Sequence, residues 1–122
     1  MSKHILVVED REDNRRLVRD LLAGTEYELS EAENGAEALS VIAKQRPDLI
    51  VMEIQLPVMD GYEAAQRIKS DPALQSIPII AVPSYAPAGE EEKARAAGCD
   101  DYMPKPYSPR QLLVKIRERL GQ

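Results

Sequence analysis

Two hydrophobic periods take turns along this chain, and few folds accommodate that alternation. His4–Val8 is a short run of apolar and β-branched residues, the pattern of a buried strand. Acidic Glu9 and Asp10 end it. Arg11–Leu22 then carries Leu17, Val18, Leu21 and Leu22 at helical spacing, with Gly24 suited to the position after the helix. Tyr27–Ala32 reads as a weaker, more polar strand. Asn34 and Gly35 can open a helix running to about Gln45, with Ala38, Leu39, Val41 and Ile42 inward, before Pro47 breaks it. The cycle then repeats. Asp48–Glu53 is a strongly apolar strand, Ile54–Asp60 a loop, and Gly61–Ser70 a helix, with a short extra turn from Asp71-Pro72. Pro78–Val82 is a strand and Glu90–Ala97 a helix closed by Gly98. Asp101–Met103 is a short strand. Ser108, followed by Pro109, opens a last helix with Leu112, Leu113, Ile116 and Leu120 inward.

Five strands alternating with five helices predict an α/β fold, a parallel sheet covered on both faces. Strands one, three and four are the most apolar and should be central. Strand two (YELSEA) should lie at an edge. At 122 residues there is room for one domain, 1–122, and no stretch is long enough to act as a linker. The chain stops at Gln122, just after the last helix, so any output should pass through a partner.

Composition narrows the function classes. A net charge of −5 argues against a nucleic-acid surface, and the absence of Trp and Phe argues against base-stacking platforms. No apolar run reaches membrane-spanning length, so no membrane insertion is expected. The first apolar stretch is too short for a signal peptide. With one cysteine, Cys99, no internal disulfide is possible, which fits a cytoplasmic protein. Cys99 is expected buried and His4 exposed, neither with the neighbours of a metal or nucleophilic site. The run Glu90-Glu91-Glu92-Lys93 should lie on a solvated helix face.

The chemistry should lie beyond the carboxyl ends of the strands, where open α/β sheets bind ligands. Strand one ends in Glu9-Asp10 and strand three in Glu53. If these strands are neighbours, three carboxylates meet in one shallow pocket and need a counter-charge. A divalent ion such as Mg²⁺ is one candidate. Lys105, just past strand five, is the other.

The acid pair in VVED, the block EIQLPVMDGYE, the strand PIIAV and the segment GCDDYMPKPYS together cover nearly the whole chain. In these the sequence resembles the receiver domain of bacterial two-component response regulators. The resemblance implies a flavodoxin-like, doubly wound (βα)5 sheet in the order 2-1-3-4-5, the fold for which one such receiver is a standard example. It implies phosphorelay signalling and not metabolic catalysis. It also implies a Mg²⁺ site formed by Glu9, Asp10, residue 53 and the backbone carbonyl of Gln55. Lys105 matches the phosphoryl-binding lysine, and Lys105–Pro106 is a candidate cis peptide. Tyr102 matches the aromatic switch residue. The implied partners are a sensor histidine kinase, a phosphotransfer protein or another receiver. A second copy of the chain, docked through the face of helix four, strand five and helix five, is a further one.

Two positions depart from the pattern. Glu53 stands where the phosphate-accepting aspartate belongs, and Pro83 where a Thr or Ser belongs. The extra methylene moves the carboxylate roughly 1–1.5 Å outward, and a misplacement of about 1 Å can cost a factor of ~100 in a positioned reaction. The longer acid can instead mimic a phosphorylated residue in part by pairing with Lys105, which would leave Mg²⁺ binding weak or absent. Pro83 offers neither hydroxyl nor N–H and restricts Val82. Ser84, next along, is a candidate source of a hydroxyl from a shifted position. The expectation is a pseudo-receiver that keeps its fold and contact surface but responds little to phosphorylation. The alternatives are a working phosphoacceptor and a conventional receiver carrying an engineered Glu53 mimic.

Overall fold

The computed structural model describes residues 2–122. The elements run β1 (His4–Val8), α1 (Glu12–Ala23), β2 (Glu28–Ala32), α2 (Gly35–Lys44), β3 (Leu49–Met52), α3 (Gly61–Ser70), β4 (Ile79–Ala81), α4 (Glu90–Ala97), β5 (Asp101–Tyr102) and α5 (Pro109–Leu120). All strand pairs are parallel and the order is β2-β1-β3-β4-β5, as the sequence predicts. β1, β3 and β4 are buried along their whole length, whereas β2 begins exposed at the edge. Strands buried on both faces lose no alternating polar side, which is why they read as continuous apolar runs.

The helices divide the core into two layers. Ile42 of α2, Ala64, Ala65 and Ile68 of α3, and Ala94 and Ala97 of α4 pack on one face. Val18 and Leu22 of α1 pack with Leu112 and Ile116 of α5 on the other. Three helices start on side-chain caps, which satisfy amide groups that the first turn leaves unpaired. Asn34 accepts from the Glu37 amide at 2.8 Å, Asp60 from the Glu63 amide at 2.9 Å, and Ser108 from the Gln111 amide at 3.4 Å.

Four expectations from the sequence are corrected. Leu17 is 56% exposed, whereas Val18 and Leu22 are buried on the inward stripe of α1 and Leu21 packs half-buried beside them. His4 is buried, with its Nε2 2.7 Å from the Ser30 hydroxyl on the neighbouring edge strand. Glu90 leaves the solvated face of α4 and is buried near Tyr62 and Tyr102. Gly24 ends α1 at φ −90°, so no left-handed turn is required there. Among the described residues no helix is long and apolar enough to cross a membrane.

Candidate functional site

Register brings the site together. Val8 of β1 lies beside Met52 of β3, so Glu9 and Glu53, one residue on, leave adjacent strands side by side. The Glu53 amide donates to the Val8 carbonyl at 2.9 Å, and the Glu9 amide to that of Ala32 at 2.9 Å. The two residues are only 2% and 1% exposed. Buried carboxylates this close must be paired or neutralised.

Lys105 pairs them. Its ammonium donates to Glu53 Oε1 at 3.0 Å, to Glu9 Oε1, and to the Ser84 hydroxyl at 3.3 Å. Its own amide donates to the Pro83 carbonyl at 3.0 Å, and the Lys105–Pro106 bond is cis. Burial disfavours the charge on Lys105, but the hydrogen bonds to Glu9 and Glu53 outweigh it and raise its pKa. The two acids respond differently. Burial dominates at Glu9 and leaves its carboxyl above the usual range despite Lys105. Burial also opposes ionisation of Glu53, yet the hydrogen bonds from Ser84 and Lys105 together prevail and hold its carboxyl below that range.

Glu53 is gripped from several sides. Oε2 accepts from the amides of Ile54 at 2.7 Å and Gln55 at 3.1 Å. The Ser84 amide lies 3.1 Å from both oxygens, and the Ser84 hydroxyl donates to Oε1. Pro83 is buried and contributes only its carbonyl, so the donors sit one residue later. The Gln55 side chain adds a tie that sequence reading missed, having used only its carbonyl. Its Oε1 accepts from the amides of Ser84 at 3.2 Å and Tyr85 at 3.3 Å, and its Nε2 donates to the Tyr85 carbonyl at 3.2 Å. An amide side chain three residues beyond the end of β3, facing the loop after the next strand, was the available signal.

Asp10 is not brought in. It is exposed and hydrogen-bonds to neither acid, so the three-carboxylate pocket expected from the sequence does not form. Among the described residues no three His, Cys, Asp or Glu side chains are gathered to hold a metal ion. The Lys105 ammonium bridges Glu9 and Glu53, two of the carboxylates that the resemblance assigns to a metal site. Tyr102 is half-buried. Its hydroxyl, that of Tyr62 and Glu90 Oε1 are buried without hydrogen-bond partners. Burial, then the Glu90 and Glu91 carboxylates, push the Tyr102 hydroxyl up. Cys99 is buried, which drives its thiol up to about 12 and leaves it unreactive at neutral pH. A cavity of about 300 Å³ opens beside Ser84 and Lys105, lined also by Asn14, Leu17, Tyr107 and Pro109.

The response regulator receiver domain model matches residues 5–117. The polar-differentiation response regulator DivK of Brucella anthropi is 43% identical over 121 residues, covering 99% of this chain and 98% of that protein. A CheY-like receiver domain protein from Methanospirillum hungatei superposes with a TM-score of 0.91 at 30% identity, covering 99% and 95% of the two chains. The receiver domain of the sensor histidine kinase PA1611 of Pseudomonas aeruginosa was solved with magnesium coordinated in its active site cleft. It superposes at 0.90 with 31% identity over the full length of both chains. The chain is thus a two-component signalling protein of the response regulator receiver domain family.

Proposed function

We propose that this receiver acts through protein–protein contact in a state set by Glu53, with phosphoryl acceptance at that position lost or much reduced. The observation that carries this reading is the closed grip on the Glu53 carboxylate by Lys105, Ser84 and the amides of Ile54 and Gln55. An acceptor must present a free oxygen to the incoming phosphorus, and both oxygens of Glu53 are engaged. The same grip resembles what a phosphorylated residue would receive, with charge on the lysine and donors from the loop after β4.

On this reading Mg²⁺ binds weakly or not at all. The partners are a sensor histidine kinase, a phosphotransfer protein or another receiver, with a second copy docking through α4, β5 and α5 as a further contact. Tyr102 reports the state of the site to that face. The protein then works as a single domain in the cytoplasm.

The test is an amide NMR spectrum with and without beryllofluoride and Mg²⁺, which together imitate a phosphoryl group on an acidic acceptor. The resonances of Ser84–Gly89 and Tyr102 should not move. Large shifts there, or a hydroxylamine-labile phosphoryl adduct on Glu53, would overturn the proposal.

A further inference from the structure

The grip that closes Glu53 leaves a different oxygen presented. Ser84 is an exposed residue whose hydroxyl donates to Glu53 Oε1, and its Oγ lies 3.3 Å from the Lys105 ammonium. Glu53 is itself oriented by the Ile54 and Gln55 amides. A hydroxyl on a carboxylate base, the base fixed by a third group, is the arrangement of an activated nucleophile. A cation beside the nucleophile is what phosphoryl transfer requires, since catalysis there is positioning and charge stabilisation. The cavity of about 300 Å³ bordered by Ser84, Lys105 and Asn14 gives a small donor a place beside the hydroxyl.

The geometry points to Ser84 as a phosphoryl acceptor, charged by a high-energy donor of the acyl phosphate or phosphoramidate class. Ser84 Oγ attacks phosphorus and forms a P–O bond. The bond from phosphorus to the donor's carboxylate oxygen, or to its nitrogen, breaks, and the leaving group departs with that electron pair. The hydroxyl proton passes to Glu53, and Lys105 stays beside the transferred group. Modification uses up the hydroxyl that donates to Glu53, so it opens the grip instead of closing it.

The test is incubation with acetyl phosphate in one arm and phosphoramidate in the other, followed by intact mass, peptide mapping and hydroxylamine treatment. One phosphoryl group on Ser84, stable to hydroxylamine, is expected. It should be absent from Ser84→Ala and retained on the hydroxyl of Ser84→Thr. In Glu53→Gln it should form at least about 100-fold more slowly, the ordinary loss on removing a general base. A thermal melt of each variant shows that it is folded. A hydroxylamine-labile adduct on an acid, an acetyl instead of a phosphoryl gain, or no adduct in either arm would overturn the assignment. Absence of an adduct leaves the contact-module reading standing, because that reading is tested by beryllofluoride on Glu53.

Discussion

Glu9 and Glu53 share one lysine, yet their ionisation acts on stability in opposite directions. Glu53 is held below the usual carboxylate range, so its contribution is present above that range and is lost as pH falls through the folded-state value. Glu9 is held above the range, so the fold is favoured while it is protonated, and that contribution is lost as pH rises through its folded-state value. Glu53→Gln should therefore destabilise the protein at pH 7 by roughly 1–3 kcal/mol, the worth of hydrogen bonds to a charged group. The gap from the parent should shrink as pH falls below the ordinary carboxylate value. Glu9→Gln keeps an acceptor for Lys105 and should cost less, or nothing. Urea unfolding at several pH values decides this, and a larger loss for Glu9→Gln would contradict it. Glu53 and Lys105 were legible in the sequence because both end or follow strands at one sheet edge. The outward turn of Asp10 was not legible, because acids in adjacent positions give no sign of which one the fold takes inside.

The loop from β3 to α3 contains two backbone demands of opposite kind. Val58 is a β-branched residue at φ +67° and almost fully exposed, so it holds a strained left-handed conformation with no packing in return. Asn tolerates that region, and Val58→Asn should stabilise by roughly 0.5–1 kcal/mol. Gly61 opens α3 against the site itself. A Cβ there would lie 2.5 Å from the Glu53 carbonyl oxygen and 2.9 Å from Ile54 Cα. Both are backbone atoms that cannot turn aside, so Gly61→Ala should destabilise by roughly 1–3 kcal/mol. The midpoints of urea unfolding of the two variants should therefore fall on either side of the parent's. Element positions were largely readable from apolar spacing, caps and Pro or Gly punctuation. The burial of Glu90 was hidden because an acidic run at a helix start carries a solvated composition whichever residue faces inward. The Gln55 tie was hidden because it joins two loops that only the parallel register of β3 and β4 brings together.

At the scale of the molecule, the central strands join two core layers that do not touch. Ile68 of α3 lies in one layer and Ile116 of α5 in the other, each fully buried. The central place of β1, β3 and β4 was legible because strands covered on both sides must be apolar throughout, a test that β2 and the Asp101-Tyr102 pair of β5 both fail, and the full order followed from the family resemblance. The end of β5 at Tyr102 was less legible, since Met103 still donates its amide to the Ala81 carbonyl at 2.8 Å without adding a further residue pair to the ladder. A sheet shared by both layers makes the two helical faces one cooperative unit while keeping their side chains apart. Ile68→Val and Ile116→Val should each cost about 0.5–1.5 kcal/mol. The double variant should lose the sum to within roughly 0.5 kcal/mol, as sites separated by a rigid layer do. Unfolding should remain a single transition by both circular dichroism and tyrosine fluorescence. Two transitions, or a double loss well beyond the sum, would mean that one layer opens by itself. The site lies at the carboxyl ends of β1, β3, β4 and β5, the strands between the two layers, so its geometry depends on both being closed.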